Sequence, residues 1–210
     1  MRPKSDVRFP HLAIVFLCLS ALVAGCGGSS RQYYGARPIV KPPPPEIRTE
    51  QTKAWLAKVR ELGKPGHWLV IRGYKDGDNF VVMATNTPLS HAALLDIERD
   101  RVIESLADGV VRNTLEHFVD HAHRLLIIQP KWWTEERGKA AAVEADTLVG
   151  KKYDWTGAIG LSDEDRFFCS ELAVHVYRAH QTEKDHLPKV LLPSHMYLWG
   201  NIVWDSGERD

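Results

Sequence analysis

The chain carries no excess charge of either sign: 27 lysines and arginines balance 27 aspartates and glutamates over 210 residues. A neutral balance offers no basic stripe for a phosphate backbone, so nucleic acid is not an expected partner. Long hydrophobic runs are equally scarce. One apolar stretch lies near the N-terminus and no second one follows, so the body of the chain has no segment of spanning length. No internal repeat is visible, which sets aside a solenoid or an array. Cysteine is sparse too, at positions 18, 26 and 169 only.

What is present begins at the N-terminus. Arg2, Lys4 and Arg8 precede the apolar run Leu12 to Ala24, a length that suits a signal sequence better than a membrane span. The run closes on Leu22-Val23-Ala24-Gly25-Cys26, which resembles the lipobox of bacterial lipoprotein precursors. That resemblance implies a signal peptide over residues 1–25, with Cys26 taking the lipid (diacylglycerol and palmitate) as the first mature residue. Gly27, rather than an acid, after the cysteine implies the outer membrane, facing the periplasm. The rival reading is an ordinary secretory signal with a chance cysteine.

On this reading Cys18 leaves with the signal and the Cys26 sulfur is consumed by lipid. Cys169 is then the one free thiol in an oxidising compartment, either buried and inert or kept for its chemistry. Residues 26–48 read as a tether: Gly27-Gly28-Ser29-Ser30 is flexible, and Pro42 to Pro45 form a stiff polyproline spacer. Residues 49–210 are long enough for one domain with its own core.

Within that domain the pattern predicts a helix over 49–62, closed by Gly63 and Pro65. Strands are expected over 68–72 and 80–84 around the Asp76-Gly77-Asp78-Asn79 turn, then over 90–96, 101–106 and 124–129. A short helix or turn is expected over 114–119. Longer helices are expected over 133–148, capped by Thr134, and over 168–180. The order implies an α+β fold, with an antiparallel sheet carrying helices on one side.

Cys169 opens the last of these helices, where free N–H groups favour a thiolate. Helical spacing places it with Leu172, Ala173, Val176 and Tyr177, so its sulfur points toward whatever the helix packs on. A small buried core cysteine would show the same pattern. A thiol nucleophile needs a base and something to orient that base. His91, opening the apolar strand His91-Ala92-Ala93-Leu94-Leu95, is the best candidate, and alternation puts it on the face of Ala93 and Leu95. Glu104, within Val102-Ile103-Glu104-Ser105, is costly in a central strand unless paired. Reflection of the hairpin about Arg99 places Glu104 opposite Leu94, and the spacing alone neither requires nor forbids contact with His91.

Taken in order, Ser90-His91-Ala92-Ala93-Leu94, Val102-Ile103-Glu104-Ser105, Gly150-Lys151-Lys152-Tyr153-Asp154 and Phe168-Cys169-Ser170-Glu171-Leu172 resemble the permuted papain-like cysteine hydrolases. The nearest group is the YaeF/YiiX-like amidases of the NlpC superfamily, and the likeness runs from about Gly63 to Pro193. It implies a permuted papain-like, NlpC-type α+β fold. It also implies Cys169 as nucleophile, His91 as base and Glu104 as orienting acid, with Tyr153 and Asp154 on a motif serving substrate or local structure. Gly66-His67 departs from the Gly-Asp usual in relatives.

Glu171 fits a helix-capping role better than a substrate contact. His117, His121 and His123, with Asp120 nearby, have spacings that a zinc site can use, but they lack a His-Glu-x-x-His order, and solvated surface histidines are the preferred reading. No metal or other cofactor is expected. His195 is a second-choice base, and Trp132 and Trp133 either cover the groove or fill the core. The expected function is an envelope-anchored cysteine hydrolase of amide or ester bonds, with murein peptides as first substrate. Its rivals are a fatty-acyl amide or lipid hydrolase or acyltransferase, and a non-catalytic tethered binding module.

Overall fold

The computed structural model describes residues 39–157 and 165–209. The signal-peptide and lipidation assignments, including Cys26, and most of the expected tether lie outside the described residues. The first helix, α1 (Pro45–Leu62), starts four residues earlier than its pattern suggests, because Pro45 occupies the first helical turn, where no N–H is needed. Gly63 ends it by donating its N–H to Val59 O.

The next elements are β1 (Trp68–Gly73), α2 (Asp76–Thr85), β2 (His91–Asp96), β3 (Arg101–Leu106) and β4 (Gly109–Thr114). They are followed by α3 (Leu115–Asp120), β5 (Ala122–Pro130) and α4 (Glu135–Thr147). Then come a short parallel pair, β6 (Lys152–Tyr153) with β7 (Arg166–Phe167), the helix α5 (Cys169–His175), and β8 (Gly200–Glu208). The main sheet has six strands in the order β4-β3-β2-β1-β5-β8, antiparallel throughout.

Strand alternation divides the core into two layers. Trp68, Val70, Ala92, Leu94, Ile103 and Ile128 face Trp132, Leu172, Tyr177 and Met196. From the opposite face Leu69, Ile71, Ala93, Leu95 and Val102 meet Trp55 and Val59 of α1 and Leu115 and Phe118 of α3. The fold is α+β as the sequence implies, but helices cover both faces of the sheet rather than one.

Three local expectations are corrected. Residues 80–84, read as a strand, belong to helix α2, because Asp78 Oδ2 accepts the Lys75 N–H at 3.0 Å and starts a helical turn. Strands β4 and β8 were not expected. The last helix closes at His175, and a separate turn of 3-10 helix, Arg178–His180, carries the chain onward. Thr134 caps α4 as expected, accepting the Arg137 N–H at 3.2 Å.

The β2–β3 hairpin is off by one residue from simple reflection, and the difference matters. Asp96 pairs with Arg101, leaving four residues in the turn: a 3-10 segment Ile97–Arg99, then Asp100 at φ 49°. Arg60 grips the Asp100 carboxylate through two hydrogen bonds of 2.9 and 2.7 Å. Glu104 therefore lies opposite Ala93, not Leu94. A one-residue slip moves a side chain to the other face of a sheet, and here it brings Glu104 onto the face of Ala93 and His91.

Candidate active site

Three elements converge at the start of β2. Helix α5 packs across β2 and β3, so its first residue, Cys169, meets the end of the strand that His91 opens. The imidazole N–H of His91, at Nε2, donates to Glu104 Oε2 at 2.5 Å, and the Cys169 thiol lies close enough to raise the His91 pKa. Cys169 is buried at 7% exposure and Glu104 at 4%, while the His91 side chain retains 14%. The Phe118 ring lies 5.9 Å from that of His91 and closes its other side.

Burial opposes charge at every one of these positions, yet the partners prevail. For His91, burial pushes the pKa down, but hydrogen bonds and charge from Cys169 and Glu104 hold it well above the ordinary histidine value. For Cys169, burial pushes up, while His91 and the backbone groups of Ala92 and Ser170 bring the thiol below its usual range. Glu104 follows the same logic: burial raises its pKa, and bonds to His91 and Asn113 leave it lowered. The arrangement favours a thiolate–imidazolium pair backed by a carboxylate.

The frame around the dyad is built from side-chain bonds to backbone. Ser90 Oγ accepts the Gly73 N–H at 2.9 Å and donates to Asp78 Oδ1 at 2.7 Å, which ties α2 to the residue before His91. Ser105 Oγ donates to Phe167 O at 2.6 Å, and Ser170 Oγ donates to Leu191 O. Together these fix the approach of α5 to the sheet.

Asp154 is fully buried, and its Oδ1 accepts N–H groups of Thr156 and Gly157 at 2.9 and 2.8 Å. It shapes the loop behind Tyr153. The Tyr153 phenol is held protonated by burial, then by the nearby charges of Cys169, Asp154 and Glu171. Its ring lies 4.7 Å from that of the exposed Trp155. Glu171 Oε2 accepts the Phe168 N–H at 3.3 Å, the reach-back of a helix cap.

The remaining candidates are dispersed. His117 and His121 lie side by side on the surface, with the His121 ring bonded to His117 O at 2.7 Å, whereas His123 is buried against Tyr74. Among the described residues no three histidines, cysteines or acids are grouped to hold a metal. His195 sits half-buried in the 3-10 segment Pro193–Trp199. Trp132 belongs to the core, beside Trp68 and Tyr177, and the Trp133 indole N–H donates to Pro65 O. Gly66, at φ 78°, packs so closely on Tyr177 and Gly138 that a Cβ would collide with both.

Sequence reasoning passed over Asn113, whose side-chain amide donates to Glu104 Oε1 at 2.6 Å. Its signal was available only once β4 was recognised as a strand.

The sequence profile of the permuted papain-like amidase enzymes, YaeF/YiiX, C92 family, matches residues 74–196. The crystal structure of the metalloprotein yiiX from Escherichia coli O157:H7 is similar over 57% of this chain and 67% of that one, at 19% identity and a TM-score of 0.48. No curated protein matches the chain.

Proposed function

Since the chain belongs to the permuted papain-like amidases of the YaeF/YiiX, C92 family, we propose that it cleaves an amide bond through a thioester on Cys169, with His91 as base and Glu104 as its orienting acid. The observation that carries this reading is the buried His91 ring, hydrogen-bonded to Glu104 at 2.5 Å with the Cys169 thiol close enough to shift its pKa.

In the reaction the thiolate attacks the substrate carbonyl carbon, and the carbonyl electrons move onto oxygen. Backbone N–H groups at the start of α5, including that of Cys169, are the donors in position to hold that oxyanion. As the tetrahedral species collapses, the C–N bond breaks and His91 gives its proton to the leaving amine. The thioester remains. Water then loses a proton to His91 and attacks the same carbon. The acid product departs, and the sulfur leaves as thiolate beside a recharged imidazolium. Glu104 keeps the imidazole oriented and supports its positive charge through both halves.

The proposed setting is the bacterial envelope. The lipobox-like sequence supports a lipid on Cys26, with the domain carried on the Gly/Ser and proline tether and facing the periplasm from the outer membrane. That location favours murein peptides as substrate.

Labelling with acyl-amide probes of varied chain type tests the chemistry. Wild-type protein is expected to take up the acyl group on Cys169 and release it on hydrolysis, while Cys169→Ser is not labelled. Equal labelling of both proteins, or none of the wild type across peptide and fatty-acyl probes, would overturn the proposal and favour a binding module.

A further inference from the structure

Resting on that hydrolase reading, we propose that Asn113 is a positioning residue for the reaction: its side-chain amide holds the far oxygen of Glu104 so that the near oxygen stays on His91. Glu104 projects from β3, and its two oxygens have different partners: Oε2 is 2.5 Å from His91 Nε2, and Oε1 is 2.6 Å from Asn113 Nδ2. The last torsion of a glutamate is soft and nearly two-fold, so a carboxylate held at one oxygen only can swing away from its base. A second bond on the opposite oxygen removes that freedom.

The strand register explains why position 113 can do this. Val111 lies opposite Glu104 and Asn113 opposite Val102, so Asn113 is the diagonal neighbour of Glu104 on the same face. Long side chains reach across that diagonal. Asn113 also has the right chemistry. Its amide donates a hydrogen bond to a buried acceptor that would otherwise be costly. It brings no charge, so the full negative charge of Glu104 remains directed at the imidazolium. It has no titratable proton, so it does not compete with His91 for one. A lysine here would neutralise the acid, and an acid here would repel it.

Other groups bear on Glu104 from the surrounding elements. His91 faces it from β2, Lys75 acts on it from the turn before α2, and His117 lies within charge reach on α3. Of the three, only His91 is hydrogen-bonded to the carboxylate among the described residues, and Asn113 supplies the second bond. Asn113 therefore acts through Glu104 and His91 without touching substrate.

The test measures the rate of iodoacetamide alkylation of Cys169 against pH, which needs no substrate. Asn113→Leu removes the donor, so the carboxylate wanders, the imidazolium is less supported and the thiolate forms only at higher pH. At a fixed pH on the acid side, alkylation is expected to slow about tenfold, equivalent to about one pKa unit. Asn113→Ala serves if the leucine variant does not fold, as judged by its circular dichroism. In a Glu104→Gln background the same Asn113 substitution is expected to produce no further change in the titration, because the carboxylate charge that Asn113 holds on His91 is already gone.

Two results would overturn the inference while leaving the hydrolase reading intact. One is a wild-type titration in both Asn113 variants. The other is a loss that is as large with Gln at position 104 as with Glu, which would assign Asn113 a general structural role. A wild-type thiol that titrates like free cysteine would instead remove the hydrolase reading and this inference with it.

Discussion

Taken singly, His91 and Cys169 are each badly placed for charge, since burial penalises an imidazolium and a thiolate alike. Together they exchange one proton and each supplies the counter-charge the other lacks. The working pH window follows from the signs of the two shifts. The pair forms as pH rises through the lowered thiol pKa and persists until the raised imidazole pKa is passed. Hydrolysis is accordingly expected to begin below the ordinary thiol range and to fall only on the alkaline side, which a pH profile of kcat/KM would show. His91→Ala is expected to abolish the acid-side activity, with a loss of at least about 100-fold.

His67 gives a separate prediction about stability. It is almost fully buried, its Nδ1 accepts the Lys64 N–H at 3.3 Å, and its Nε2 has no hydrogen-bond partner among the described residues. Burial, aided by the charge of Lys64, lowers its pKa to about 4. The unfolded chain takes up the proton near the ordinary value while the folded protein resists it. Stability is therefore fully present above about pH 6.5 and is lost as pH falls toward 4. Urea unfolding should show about 2 kcal/mol lost between pH 7 and pH 5, and His67→Gln should remove most of that dependence.

The Asp78–Ser90 bond carries a testable consequence at the level of elements. Asp78 both starts α2 and receives the hydroxyl of Ser90, the residue immediately before His91. Asp78→Ala should cost about 1–2 kcal/mol in denaturant unfolding and lower kcat more than a distant substitution of equal cost. The same helix shows where sequence reading reaches its limit. Phe80-Val81-Val82 looks like a strand by composition, but the cap at Asp78 sets a helical turn in which Asn79 and Val82 face inward and Phe80 and Met83 outward. Strand β3 was legible to the residue because its apolar run is bounded by clear turn signals.

Strand β4 escaped notice because only its first two residues are fully buried, and β8 because most of its residues are exposed. Of the site, Cys169, His91 and Glu104 were visible as chemically unusual residues in apolar surroundings. Their proximity was not, since it depends on the four-residue turn that shifts the hairpin by one. Asn113 was invisible for the same reason as β4.

Across the whole molecule, the two layers of helices clamp one sheet, and the C-terminal segment closes the outer layer. Arg209 donates to Val119 O at 2.9 Å and to Thr52 Oγ1 at 3.1 Å, with its guanidinium 4.1 Å from the Trp55 ring centre. Arg209→Ala should lose about 2 kcal/mol and lower Tm, because it removes a cation from an aromatic face and breaks two buried hydrogen bonds, to Val119 O and Thr52 Oγ1. The proposed anchoring belongs to this scale as well. Cells expressing the full chain should incorporate labelled palmitate, and Cys26→Ser should abolish both the label and sedimentation with membranes. Unchanged labelling in that variant would refute the anchor without touching the active-site chemistry.

Whether a charged imidazole and a thiolate share one buried site is read by an NMR titration of the His91 ring in wild type and Cys169→Ser. Wild-type His91 is expected to stay protonated well above the ordinary histidine pKa, and this pKa is expected to fall once the sulfur's charge is removed. A His91 ring that titrates identically in both proteins would contradict that pairing.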